Sequence, residues 1–175
     1  MSSQHTGRKS RSVGEQAEAA IIAACDRYRA QGVADVYKRP TPVKPISGGS
    51  PFRAVWQAKA GCDFGGTLVG GRSLVMELKT SSSPSLPLQR HGKPTLNATQ
   101  VAELARCDAL GGVAGVLVRV RPAGCERWYW LAWQGWLAAV LDAADERRAS
   151  LGRELLEYHG RRVAPSDWLD GVLDL

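Results

Sequence analysis

No apolar run in this sequence approaches the ~18 residues that a membrane-spanning helix needs. Its opening, MSSQHTGRKSRSVGEQ, is polar and basic and lacks the apolar stretch of a secretory leader. Both absences point to a cytoplasmic chain with no membrane partner. Cysteine is sparse: Cys25, Cys62, Cys107 and Cys125 are widely spaced and form no CxxC pair, which argues against a zinc ribbon and against a disulfide scaffold. They read as reduced, mostly buried thiols. The three histidines, His5, His91 and His159, are isolated and have no ligand spacing. The glycines between Gly65 and Gly71 neither open a helix nor carry GK[ST], so a phosphate-cradling loop is not supported. Acidic residues are missing altogether from Val36 to Cys62.

That last gap is filled with positive charge. Lys38, Arg39, Lys44, Arg53 and Lys59 all fall inside it, and residues 1–60 hold ten Lys/Arg against four Asp/Glu. Residues 61–175 hold thirteen of each, so the first third carries the whole net charge of +6. A field of one sign attracts polyanions, nucleic acid above all. The length of 175 residues suits one domain, and a hydrophobic fraction of 44% with six tryptophans suffices for a core.

Residues 1–12 read as a flexible basic tail and 13–175 as one domain. GEQAEAAIIAACDRYRAQG, from Gly14, has helical apolar spacing and a stop at Gly32. VADVY suits a short strand. Pro40, Pro42 and Pro45 then forbid a helix interior or central strand, and Pro40–Lys59 reads as a basic arm whose FRAVWQAK portion returns as a strand. CDFGGTLV and RSLVMELKT flank Gly70–Gly71 as a hairpin. SSSPSLPLQRHGKP reads as a loop. The next helix is capped by Thr95 or Asn97 and stopped at Gly111–Gly112. VAGVLVRV and ERWYWLAW read as strands, QGWLAAVLDAADERR as a helix, and the remainder as less regular with a short helix after Pro165. The tryptophan-rich RWYWLAWQGW reads as an apolar strand–helix corner. This order describes an α/β fold with a mixed sheet flanked by helices.

The hairpin poses the chemical question, because Asp63, Glu77 and Lys79 interrupt runs that otherwise read as buried strand. Strand alternation puts Glu77 and Lys79 on one face with Val75, leaving Met76 and Leu78 on the other. Asp63 lies across the hairpin. Two carboxylates brought together repel unless a cation separates them. Oxygen-only ligation suits Mg²⁺, with Mn²⁺ able to substitute. Lys79 would contact phosphate, orient water or stabilise charge on phosphorus. This D…ExK hairpin has the arrangement of the PD-(D/E)XK nuclease superfamily. The same residues also allow a plain Glu77–Lys79 surface pair on a half-exposed strand.

Further segments carry a closer resemblance. VYKRPTPVKPI, CDFGGTLVGGRSLVMELKT, LPLQ, a helix bearing Gln100, ALGGVAGVLVRV and the closing VAPSDWLDGVL follow one another in order. Together they resemble the RecU-type Holliday junction resolvases of bacteria and their phages, from about Gly14 to the C-terminus. The resemblance implies a restriction-endonuclease-like fold with a protruding basic stalk inserted at about residues 40–60. It implies an Mg²⁺-dependent crossover junction endodeoxyribonuclease that makes paired symmetric nicks in four-way DNA as a homodimer. Asp63 and Glu77 match the metal-binding acids and Lys79 the catalytic lysine. The family's helix acid falls on Glu18, with Glu15 one turn away as the alternative, and Gln100 matches a glutamine facing the site. Lys38, Arg39, Lys44, Arg53, Lys59, Arg90 and Lys93 are the implied DNA contacts, with Tyr37, Phe52 and Trp56 as aromatic candidates on the arm. A recombinase or branch-migration helicase is a candidate further partner. The segment between KRPTP and Asp63 is shorter than the family's usual stalk, and the loop before Gln100 is longer. The rival readings are a related nuclease acting on duplex DNA and a non-catalytic DNA-binding module.

Overall fold

This computed structural model describes the backbone of residues 3–40, 43–46, 53–56 and 61–173, and the side chains within 14–40 and 61–173 except Ala123. Helix α1 spans Ser3–Ala30 and leads into β1, Ala34–Lys38. β2, Val43–Ile46, and β3, Arg53–Trp56, form an antiparallel ribbon between β1 and the strand that follows. β4, Phe64–Leu68, and β5, Ser73–Thr80, form the central hairpin. Three two-residue segments follow: β6, Leu86–Pro87; β7, Gln89–Arg90; and β8, Lys93–Pro94. Then come α2, Ala98–Ala109; β9, Val113–Val120; β10, Arg127–Ala132; and α3, Trp133–Asp145. The chain closes with β11, Ser150–Leu151; α4, Arg153–His159; β12, Arg161–Val163; and α5, Asp170–Leu173.

The main sheet has the order β1-β4-β5-β9-β10-β12. Only β5 and β9 pair in parallel, and α2 makes the crossover between them; the other pairs are antiparallel. The sheet is therefore mixed, as expected. Alternation along each strand divides the core into two. Leu74, Met76 and Leu78 of β5 pack with Ile21 and Tyr28 of α1 and with Trp128, Trp130 and Trp168. Val75 packs with Val116, Tyr129 and Leu131, under Leu104 of α2, Trp133 and Trp136 of α3, and Leu155 and Leu156 of α4. Helices thus cover both faces, and β9, central between β5 and β10, is buried along its whole length. The tryptophan-rich corner is core: Trp128, Trp130, Trp133 and Trp136 are all buried.

Gly70 and Gly71 close the β4–β5 hairpin with φ of 83° and 86°, a conformation that costs glycine little and other residues more. The N–H of Leu68 meets the carbonyl of Arg72 at 2.8 Å across this turn. Asn97, not Thr95, caps α2: its side chain accepts from the backbone of Thr99 and Gln100.

Three local expectations are corrected. The first twelve residues are not a tail throughout, since α1 starts at Ser3; the segment has no proline to interrupt a helix. Leu86 to Pro94 is not a simple loop but holds β6, paired with β11, and the β7–β8 ribbon. α4 and β12 occupy the C-terminal stretch expected to be less regular; both are too short for periodicity to reveal. Pro45 is accommodated in β2 because each strand of a two-stranded ribbon keeps a free edge. The side chains of Lys44, Phe52, Arg53, Trp56 and Lys59 lie outside the described residues. Among those described, no helix is long and apolar enough to cross a membrane.

Candidate active site

The hairpin register brings the acids together. Phe64 pairs with Met76, so Asp63, one step before β4, stands opposite Glu77. The N–H of Asp63 donates to Glu77 Oε2 at 3.0 Å, and the N–H of Leu78 donates to Asp63 Oδ2 at 3.1 Å. Each carboxylate therefore holds the backbone beside the other. Lys79 Nζ lies 2.6 Å from Glu77 Oε1, on the same face of β5. Gln100, buried on the first turn of α2, donates from Nε2 to that same Oε1 at 2.6 Å.

Burial sets the electrostatics. Glu77 is only 2% exposed, which leaves an ionised carboxylate short of solvation. Desolvation pushes its pKa up to about 7; the Lys79 ammonium pulls it down and the Asp63 charge pushes it further up. Asp63 is also raised, chiefly by burial, while the Leu78 N–H and Lys79 oppose the rise and the Glu18 charge adds to it. Glu18, half-buried on α1, is therefore within electrostatic reach of Asp63, and it is paired with Lys38. Glu15 is exposed on the same helix.

A divalent cation fits this donor set. Two carboxylates face one another, both disfavoured as free anions, and the Lys79 ammonium is the counter-charge in contact with Glu77. Among the described residues no three His, Cys, Asp or Glu side chains converge into a preformed cage. Mg²⁺ does not need one, because it keeps several waters and is bound through one or two carboxylates plus substrate phosphate. Asp63 and Glu77 would hold such an ion, with the Glu18 charge near Asp63 adding to its attraction.

A cleft of about 300 Å³ opens beside Lys79. Leu78, Thr80 and Leu86 line it together with Arg90, Lys93 and Thr95. Arg90 donates to the carbonyl of Thr80 at 2.6 Å, which turns the β7–β8 ribbon toward the end of β5. Lys38 and Arg39 are engaged within the chain, Lys38 with Glu18 and Arg39 with Glu103. Tyr37 is half-exposed on β1.

Sequence reasoning passed over Glu103. Its Oε2 accepts the N–H of Cys62 at 2.7 Å, immediately before Asp63, and its Oε1 pairs with Arg39. Its position three residues after Gln100 on α2, on the same helical face, was the available signal.

The family model described as recombination protein U matches residues 12–167. No curated protein matches the chain. Among solved structures it is similar to the 1.6 Å structure of Hjc from Archaeoglobus fulgidus, described as a Holliday junction resolvase from an archaeal hyperthermophile. That similarity has 18% identity and a TM-score of 0.32, over 63% of this chain and 74% of the other.

Proposed function

The chain belongs to the recombination protein U family, and from that premise we propose that it resolves four-way DNA junctions by metal-dependent phosphodiester hydrolysis in the cytoplasm. The observation that carries the reading is the register-matched pair of Asp63 and Glu77, with Lys79 paired to Glu77 and lining a basic cleft.

The residues divide the work. Asp63 and Glu77 would hold Mg²⁺, or Mn²⁺ in its place, with Glu18 as the third acid near them. The bound ion supplies Lewis acidity toward phosphate and water. Lys79 is one-fifth exposed, enough to meet a phosphate oxygen while Glu77 keeps its ammonium oriented. It stabilises negative charge that grows on that oxygen in the transition state. Gln100 fixes the rotamer of Glu77 and so the direction of its lone pairs. Arg90 and Lys93 seat flanking phosphates along the cleft. The ribbon of β2, Val43–Ile46, and β3, Arg53–Trp56, belongs to the basic stalk that enters the junction; Lys44 and Arg53 fall in it and Lys59 follows in sequence.

Resolution requires two nicks related by the symmetry of the junction, so the working assembly is a C2 homodimer with two sites. Recognition proceeds mainly by shape and phosphate charge, which makes binding steeply salt-dependent. A recombinase or branch-migration helicase is the natural further partner.

A junction-cleavage assay with each strand labelled in turn tests the proposal. Paired, symmetric nicks are expected with Mg²⁺ and not with EDTA, linear duplex is cut far more slowly, and D63N is inactive although it still binds junctions. Equal cutting of duplex and junction would make the chain a general nuclease. Parent-like cleavage by D63N would remove the metal assignment.

A further inference from the structure

We propose that Arg39 and Glu103 act as a positioning clamp that sets where Asp63 presents its carboxylate. This inference rests on the reading of Asp63 as a metal-holding acid in a nuclease, and it adds two residues to that site.

Asp63 lies just outside β4. A sheet-type bond holds it on one side and the helix on the other. On one side, the backbone N–H of Arg39 donates to the carbonyl of Asp63 at 2.8 Å, extending the β1–β4 ladder by one step. On the other side, Glu103 Oε2 accepts the N–H of Cys62 at 2.7 Å. The Arg39 guanidinium and Glu103 Oε1 close the loop by pairing with each other. The peptide entering Asp63 is thereby gripped from a strand and from a helix at once.

The same helix sets the opposing acid. Gln100 and Glu103 lie three residues apart on α2, one facing Glu77 and the other Cys62. α2 therefore acts as a spacer that fixes both carboxylates from one rigid element. The two glycines flanking Asp63 fit this geometry. A Cβ at Gly61 would collide with the Glu103 carboxylate, and one at Gly65 with the Arg39 guanidinium. Neither glycine has a positive φ, and each leaves the room that the pair occupies as it stands. With each partner about a quarter to a third exposed, the pair is shielded but not sealed. Arg39 consequently acts through Glu103, and a direct phosphate contact is not its principal task.

The test compares E103Q, R39Q, R39K and R39Q/E103Q with the parent, on whichever DNA the parent cuts. E103Q keeps the shape of the side chain and an acceptor for Cys62 but loses the charge that holds Arg39. Displacements near 1 Å at a reacting centre cost up to about 100-fold, so kcat should fall roughly 10- to 100-fold. KM, and junction affinity measured in EDTA, should stay within about twofold. R39K keeps the charge without the fork and should recover part of the rate. The double variant should be no slower than the worse single one, because the pair acts as a unit. G65A, which dislodges Arg39 while leaving both charges in place, should lower kcat in the same way, and it carries the test alone if E103Q is unfolded at the assay temperature. Parent-like kcat in E103Q or G65A overturns the clamp, as does weakened junction binding with kcat unchanged. Failure of the broader reading looks different: the parent itself would not cut junctions, or D63N would still cut.

Discussion

Gln100 spans two jobs with one side chain. Its amide nitrogen donates to Glu77 Oε1 at 2.6 Å, while its carbonyl oxygen accepts the backbone N–H of Asn97 at 3.0 Å. The N-terminal cap of α2 and the acidic centre of the sheet are thus joined through a single residue.

Substitution at the two ends of this link should separate stability from catalysis. N97A removes the cap alone and should cost about 1 kcal/mol, which lowers the thermal midpoint by roughly 2–4 °C in a chain of this size. Its cleavage rate should remain close to the parent's. Q100A removes the reciprocal half of the cap and also a donor to Glu77. It should melt at a temperature similar to N97A but cleave on the order of tenfold more slowly, as expected for a lost orienting contact. Melting curves and single-turnover cleavage of the two variants decide this, and equal rates would leave Gln100 with the cap alone.

Glu77 should behave as a residue kept at a cost. It is buried, and burial favours its neutral form. Three donors offset that cost, the Asp63 N–H on Oε2 and Lys79 and Gln100 on Oε1; without divalent metal, E77Q should melt below the parent, because its amide nitrogen must face a donor and Lys79 loses its partner. Millimolar Mg²⁺ should raise the midpoint of the parent by preferential binding to the folded state and leave E77Q unmoved. A parental midpoint indifferent to Mg²⁺ would mean that the two acids do not hold the ion.

The legible part of this site was the part written in local periodicity. Strand alternation placed Glu77 and Lys79 on one face, and Gly70–Gly71 fixed the turn that set Asp63 opposite Glu77. VAGVLVRV, apolar but for Arg119, read as a strand, and the structure buries it along its whole length. The clamp was not legible, because Arg39 and Glu103 lie 64 residues apart and an ion pair leaves no periodic trace. β12 and α4 were missed for a different reason. Three and seven residues are too few for a period to emerge, and it is the sheet edge offered by β10 that makes Arg161–Val163 a strand.

Glu103 also predicts a pH dependence. Burial alone would raise its pKa, but the Cys62 N–H and the Arg39 guanidinium together outweigh burial and hold it below the usual glutamate range. A carboxylate whose folded pKa is depressed contributes stability that is fully present above its unfolded value and is lost as pH falls through the folded one. The parent should therefore melt above E103Q at neutral pH, and the gap should close as the solution is acidified below about pH 4.5. A gap that persists unchanged into strong acid would show that the charge of Glu103 contributes nothing and that only its shape matters.

Arg90 and Lys93 should behave oppositely to the clamp. They line the cleft beyond Lys79 and are exposed, so their charges are available to phosphate. Each phosphate contact removed should lower the slope of log affinity against log salt by about 0.9. R90Q/K93Q should accordingly bind junctions more weakly at low salt, with a slope shallower by roughly one to two and with kcat at saturating DNA little changed. The two substitutions leave the Asp63–Glu77 pair and α2 untouched, so a fall in kcat at saturation would place these residues at the reacting phosphate. A slope equal to the parent's would move the DNA path away from the β7–β8 ribbon altogether.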